Sequence, residues 1–123
     1  MTIAYDDDNI FAKILRGEIP CKKVHEDEHT LAFEDIAPQA PVHTLVIPKG
    51  KYVSMTDFAS RATDAEIGAL IRAIGKVAAL KGVEDPGYRL MTNIGRDGSQ
   101  VVPHLHFHVL GGRALGAMLV KPS

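Results

Sequence analysis

Apolar and polar residues change their period several times along the chain, and each change marks an element. Ile10, Phe11, Ile14 and Leu15 fall at helical spacing behind Asp8 and Asn9, either of which can cap. The pattern predicts a short amphipathic helix over residues 10–16, stopped by Gly17. Period two then takes over. Val24 within residues 23–26, and Leu31 alternating with Phe33 within residues 30–34, predict two strands joined by a polar link at 27–29 that suits a hairpin. The Pro-rich turn at residues 37–41 cannot continue a ladder. Beyond it, residues 42–47 read as a central strand closed by Pro48, with His43, Leu45 and Ile47 on one face. A polar link leads to the clearest helix, residues 64–81, opened by a capping box from Thr63 to Glu66 and ended by Gly82. Its apolar stripe runs through Ile67, Leu70, Ile71, Ile74, Val77 and Ala78. Residues 88–94 are a further expected strand, and residues 95–100 form a loop that feeds the next segment. Strands close in sequence around one long helix predict an α+β fold: a mainly antiparallel sheet of about five strands with one long and one short helix.

That next segment carries the chemistry. His104, His106 and His108 alternate with Leu105, Phe107 and Val109, so an extended backbone places the three imidazoles on one face and the apolar residues on the other. The apolar face is expected to bury itself against the core while the histidine face stays open to a ligand.

Composition narrows the partner. A chain of 123 residues, 46% of them hydrophobic, is long enough to bury one core, and a single domain spanning residues 1–123 is expected. Fourteen Lys and Arg against 15 Asp and Glu, with no basic run, leave no electrostatic footprint for nucleic acid or an anionic membrane, which points to a small molecule. Cys21 is the only cysteine, so neither an intramolecular disulfide nor a Cys-x-x-Cys site can form. The acidic start lacks a basic, apolar leader and no segment approaches about 18 apolar residues, so a soluble, reducing compartment, the cytoplasm, is the expectation.

Three readings of the histidine segment compete. Imidazole is the commonest metal ligand, but at about 3.3 Å per residue His104 and His108 stand about 13 Å apart at their backbones, whereas zinc needs each nitrogen within about 2.1 Å. A pair from this strand with His43 is feasible, yet no Cys or Glu completes the set, and no metal is expected. A purely structural reading suits a lone histidine better than four near one another, since groups titrating near neutral pH are costly to concentrate. Nucleophilic catalysis is the third reading. A neutral imidazole attacks phosphorus or acyl carbon without first needing a base, and a neighbouring imidazolium can protonate the leaving group. Two close imidazoles repel when both are charged, which favours this mixed state, and the Gly98-Ser99-Gln100 loop offers backbone donors for phosphate oxygens.

The run His104-Leu-His106-Phe-His108-Val resembles the signature of the histidine triad (HIT) superfamily of nucleotide hydrolases and transferases. Similarity to its nucleotide-binding branch, Hint, extends over nearly the whole chain, through Ile10-Phe11-Ala12-Lys13-Ile14, Gly17-Glu18-Ile19-Pro20, Leu31 to Ile36, Pro38 to Pro41, His43, Ile47-Pro48-Lys49, Asn93 and Gly111-Gly112-Arg113. The resemblance implies the HIT-like fold and a purine nucleoside 5′-phosphoramidate hydrolase working without metal or organic cofactor. His106 would attack the α-phosphorus to form a nucleotidyl-histidine, which water hydrolyses to AMP or GMP with retention at phosphorus. By the same carry-over His108, Asn93 and the backbone of Ser99, Gln100 and Val101 contact the phosphate, and His43 and His104 complete the polar cluster. Asp35 matches the ribose-binding carboxylate, and Ile10, Phe11, Ile14, Phe33, Ile36 and Leu45 are expected around the base. Relatives are homodimers with sheets joined across the interface. Two features depart from many relatives. Val101 replaces a Ser or Thr and so lacks a hydroxyl, and the tail after Arg113 lacks a tryptophan that some relatives bring to the partner's active site. The alternatives are a dinucleoside polyphosphate hydrolase or nucleotidyl transferase of the same superfamily and, from another class, a nucleotide-binding regulatory or scaffold protein.

Overall fold

The computed structural model describes residues 4–119, so the last part of the tail after Arg113 lies outside the described residues. Helix α1, Ile10–Leu15, is capped by Asn9, whose side chain accepts from the Ala12 amide, and Gly17 at φ +80° turns the chain away from it. Strands β1, Lys23–Glu26, and β2, Thr30–Glu34, form the expected hairpin, and β3, Val42–Pro48, follows the Pro-rich turn. Helix α2, Met55–Arg61, occupies part of the stretch expected to be a polar link. Its signals are a Ser54 cap on the Asp57 amide and Met55 and Phe58 three apart, too short a run for periodicity to stand out. The long helix α3, Asp64–Leu80, opens with the Thr63–Glu66 capping box, both arms of which form. Strand β4, Arg89–Met91, is shorter than expected, and β5 covers Phe107–Gly111.

The five strands lie in the order β1-β2-β3-β5-β4, each antiparallel to its neighbours, which is the expected α+β sheet. Strand alternation sorts the side chains into two clusters. Against α3 pack Ala32, Val46, Leu105, Phe107 and Val109 with Phe58 of α2. On the opposite face Phe11 of α1 packs with Leu31, Phe33, Leu45 and Ile47. Helix α1 therefore shares its face with His43, His106 and His108, and α3 supports that face from behind. Among the described residues, no helix is long and apolar enough to cross a membrane.

Candidate active site

The nucleophile candidate sits where the sheet ladder ends. The β3–β5 ladder stops at the pair Val46–Phe107, so His104 to His106 lie outside it. Pro48 has no N–H with which to continue the pairing, and the Leu105 amide instead donates to the Tyr52 carbonyl at 2.8 Å. A second anchor is the Thr92 hydroxyl, which donates to the His106 carbonyl at 2.7 Å. Thr92 directly follows β4, which ends at Met91.

His104 does not share the open face expected of it. It is 0% exposed, its Nε2–H donates to the Pro48 carbonyl at 2.8 Å, and its Nδ1 accepts from the Tyr5 hydroxyl at 2.6 Å. Both ring nitrogens are satisfied, so His104 is a neutral supporting residue behind the site. Burial, with the nearby His106 adding to it, pushes its pKa down to about 4.

The remaining tautomers follow from what each partner can do. His106 Nδ1 lies 2.7 Å from the His104 carbonyl, which can only accept, so the proton is on Nδ1 and Nε2 keeps a lone pair. Among the described residues, that Nε2 has no hydrogen-bond partner. Burial lowers the His106 pKa and holds the ring neutral. His43 Nδ1 accepts from the Gln39 amide at 3.1 Å, so its proton is on Nε2, which lies 2.9 Å from His108 Nδ1 and 3.4 Å from Asp35 Oδ2. His108 Nδ1 accepts, so its own proton is on Nε2. This N–H is buried and has no partner. An orphaned donor of this kind costs about 1–3 kcal/mol, a cost that a ligand oxygen would offset. Burial first, then the adjacent His106 and His43, push the His108 pKa down to about 4.

These groups open onto a cavity of about 370 Å³. Its polar wall includes Asp35, His43, Asn93, Ser99, His106 and His108, and its apolar wall Phe11, Leu45 and Val101. The Phe11 ring stands edge-to-face against His106, 4.9 Å between centroids. Asp35 is oriented by the Ala37 amide, which donates to its Oδ1 at 2.8 Å. At the rim, Gly98 is required by a close approach, since a Cβ there would meet the Ile94 carbonyl oxygen at 2.3 Å. Ser99 holds φ +60°, a conformation that strains any residue with a side chain.

The loop differs from expectation in its donors. The Ser99 and Gln100 amides already donate to Arg96 and Gly95 carbonyls, at 3.1 and 2.9 Å, so of the three expected phosphate-binding amides only that of Val101 has no partner among the described residues. The Gln100 side chain turns away from the cavity, accepting from the Gly95 amide and donating to the Val53 and Val102 carbonyls. It ties the loop to the segment before α2.

Four other expected residues also lie off the cavity wall. Phe33 is buried behind Phe11, with the rings 5.6 Å apart. Ile14 packs on the Phe11 cluster from α1, Ile10 is exposed on the outer face of that helix, and Ile36 is 92% exposed. Conversely, Gln39, Met91, Val102 and Leu110 line the cavity without having been expected there. Met91 and Leu110 are brought in by the β4–β5 ladder, which no local pattern announces.

Asp35, His43 and His108 bring one potential metal-ligating atom each within 4.8 Å of one another. Their donor chemistry does not fit a metal. His43 Nε2 must carry a proton while Nδ1 accepts from Gln39, so that nitrogen is a donor to His108 and has no lone pair for a metal, and Asp35 lies 3.4 Å from it.

Burying neutral histidines has a consequence for stability. With folded pKa values near 4 for His104 and His108 against about 6.5 in the unfolded chain, the unfolded state binds more protons between those values. Stability is therefore expected to fall as pH drops from about 7 to about 5, before carboxylates titrate. A urea midpoint unchanged between those pH values contradicts the buried neutral assignment.

The HIT domain family matches residues 16–115. The chain is 62% identical over 121 residues to an uncharacterized 13.2 kDa HIT-like protein of Azospirillum brasilense, covering 98% of this chain and 99% of that one. It is 43% identical over 113 residues to a purine nucleoside phosphoramidase of Escherichia coli K12, covering 92% and 94%. Among solved structures, a histidine triad protein from Clostridium difficile superposes with a TM-score of 0.81 at 42% identity, over 94% of this chain and 100% of that one. With the alternating histidines leading into the start of β5 and a matching sheet, the chain belongs to the HIT domain family.

Proposed function

We propose that this protein hydrolyses purine nucleoside 5′-phosphoramidates through a covalent nucleotidyl intermediate on His106. One observation carries the reading: a neutral imidazole with an unpartnered Nε2 at His106 faces the same cavity as a buried, unpartnered N–H on His108. The first is a nucleophile and the second a donor for a phosphoryl oxygen or the departing nitrogen. The similarity to the phosphoramidase of E. coli supports the substrate class.

His106 Nε2 attacks the α-phosphorus, the P–N bond breaks, and the amine departs with a proton taken from solvent by way of His108. Positive charge then developing on the His106 ring is stabilised by its Nδ1–H bond to the His104 carbonyl. Water next attacks phosphorus, returns a proton to solvent by the same route and releases a nucleoside monophosphate as the P–N bond to His106 breaks, leaving His106 in its neutral form. Two displacements give retention. Asn93, Ser99 and the Val101 amide border the phosphate position, Asp35 suits the ribose hydroxyls, and Phe11 and Leu45 offer the base an apolar wall. The expected homodimer joined through its sheets is part of this reading, since β4 ends the sheet and Leu90 is exposed there. So is a cytoplasmic setting.

The test is to react the protein with adenosine 5′-phosphoramidate, quench, and weigh the peptide containing His104 to His108. A mass increase of one nucleoside monophosphate on His106 is expected. Turnover without an adduct, or faster turnover of a dinucleoside polyphosphate than of the phosphoramidate, overturns the proposal. Monophosphate binding without any turnover favours a regulatory nucleotide-binding protein.

A further inference from the structure

The segment that holds His106 is not fastened by the sheet, and this makes its side-chain anchors informative. Tyr5 lies ahead of α1, 99 residues from His104 in sequence, yet its hydroxyl meets His104 Nδ1 at 2.6 Å and its ring stands edge-on to the imidazole, 5.5 Å between centroids. Because His104 Nε2–H is spent on the Pro48 carbonyl, the Tyr5 hydroxyl must be the donor and Nδ1 the acceptor. The His104 carbonyl in turn accepts from His106 Nδ1–H. Three links therefore run in series: the Pro48 carbonyl fixes the tautomer of His104 and pins it to the end of β3, the Tyr5 hydroxyl and ring hold its ring plane, and its own carbonyl sets the tautomer of His106.

We propose that Tyr5 is a positioning residue for the reaction, holding His104 so that its carbonyl keeps the His106 proton on Nδ1 and the lone pair on Nε2. Tyr5 does not line the cavity. Without its hydroxyl, His104 Nδ1 becomes an orphaned buried acceptor. The ring can then regain a partner only by rotating or changing tautomer, either of which loosens the Pro48 bond and moves the carbonyl that serves His106.

The inference rests on the proposed role of His106, and its test has an arm that needs no activity. Tyr5→Phe keeps the aromatic contact and deletes only the donor. In 15N-resolved imidazole spectra, the His104 Nδ1 resonance is expected to shift toward an unbonded nitrogen, and His106 to show a changed or broadened Nδ1–H signal. With adenosine 5′-phosphoramidate, kcat is expected to fall about 3- to 10-fold with KM within about twofold, the size of one lost hydrogen bond expressed only after binding. Unchanged His106 signals overturn the proposal, whatever happens to the rate. So does a kcat within twofold of the parent protein in a parent that turns the substrate over. If the parent itself has no such turnover, the proposed function fails, and the spectra alone then decide whether Tyr5 sets the His106 tautomer.

Discussion

His106→Asn is expected to lower kcat for adenosine 5′-phosphoramidate by about 10⁴-fold or more while AMP affinity stays within a few-fold. Asn can still donate an amide N–H toward the His104 carbonyl, so the local backbone keeps its partner, but it offers no basic lone pair where His106 Nε2 stands. The groups proposed to hold the nucleotide are untouched. Phe11, Leu45 and Asp35 belong to other elements, and His108 keeps its bond from His43. Single-turnover kinetics and calorimetric binding of AMP separate the two effects. Activity near that of the parent protein removes His106 as nucleophile. A joint loss of turnover and AMP affinity shows instead that the substitution disturbed the pocket as a whole.

The second large effect is expected at His108, where His108→Ala should cost about 10²- to 10⁴-fold in kcat if its Nε2–H serves the departing nitrogen. The structure gives the proton a history. His43 Nε2–H donates to His108 Nδ1, and the Gln39 amide holds His43 in that tautomer, so His108 presents a donor and not a lone pair. Because the unliganded ring is neutral down to about pH 4, the leaving-group proton is not stored on His108 in the free protein at neutral pH. An anionic phosphate bound beside it favours the protonated ring, which couples proton uptake to substrate binding. Comparing an alkylamine phosphoramidate with an adenylyl imidazolide, whose leaving group departs without such help, reads out the role. A loss much smaller for the imidazolide supports proton donation. Equal losses assign His108 to holding the phosphate, and a small loss for both moves the duty to positioning by His43 or His104.

Most of the fold was legible because its signals are local. The Asn9 cap, the Thr63–Glu66 capping box, Gly17 and the alternation in β2 and β3 are statements about neighbouring residues, and each element lies within a residue or so of its expected bounds. Helix α2 was not legible, since seven residues give too short a period. The ends of β4 and β5 were not legible either. They are decided by where Thr92, Leu105 and Pro48 find partners in other parts of the chain. At the site, the alternation of His106 and His108 with apolar residues followed from period two, whereas the approach of His43 from β3 and the entry of Met91 and Leu110 depended on sheet order.

What the sequence by itself determined was which residues share a face, and with it the chemistry on offer. An extended chain of L-residues sends alternate side chains to opposite sides, so Leu105, Phe107 and Val109 were bound for the core and the imidazoles for the other face. Only the tertiary structure decided how the imidazoles divide the work. Their partners come from distant residues: Tyr5 and Pro48, 99 and 56 positions from His104, and His43, 65 positions from His108. An imidazole is donor, acceptor or both according to what meets each nitrogen, and those meetings exist only once the strands, the loop and the N-terminal segment have been brought together.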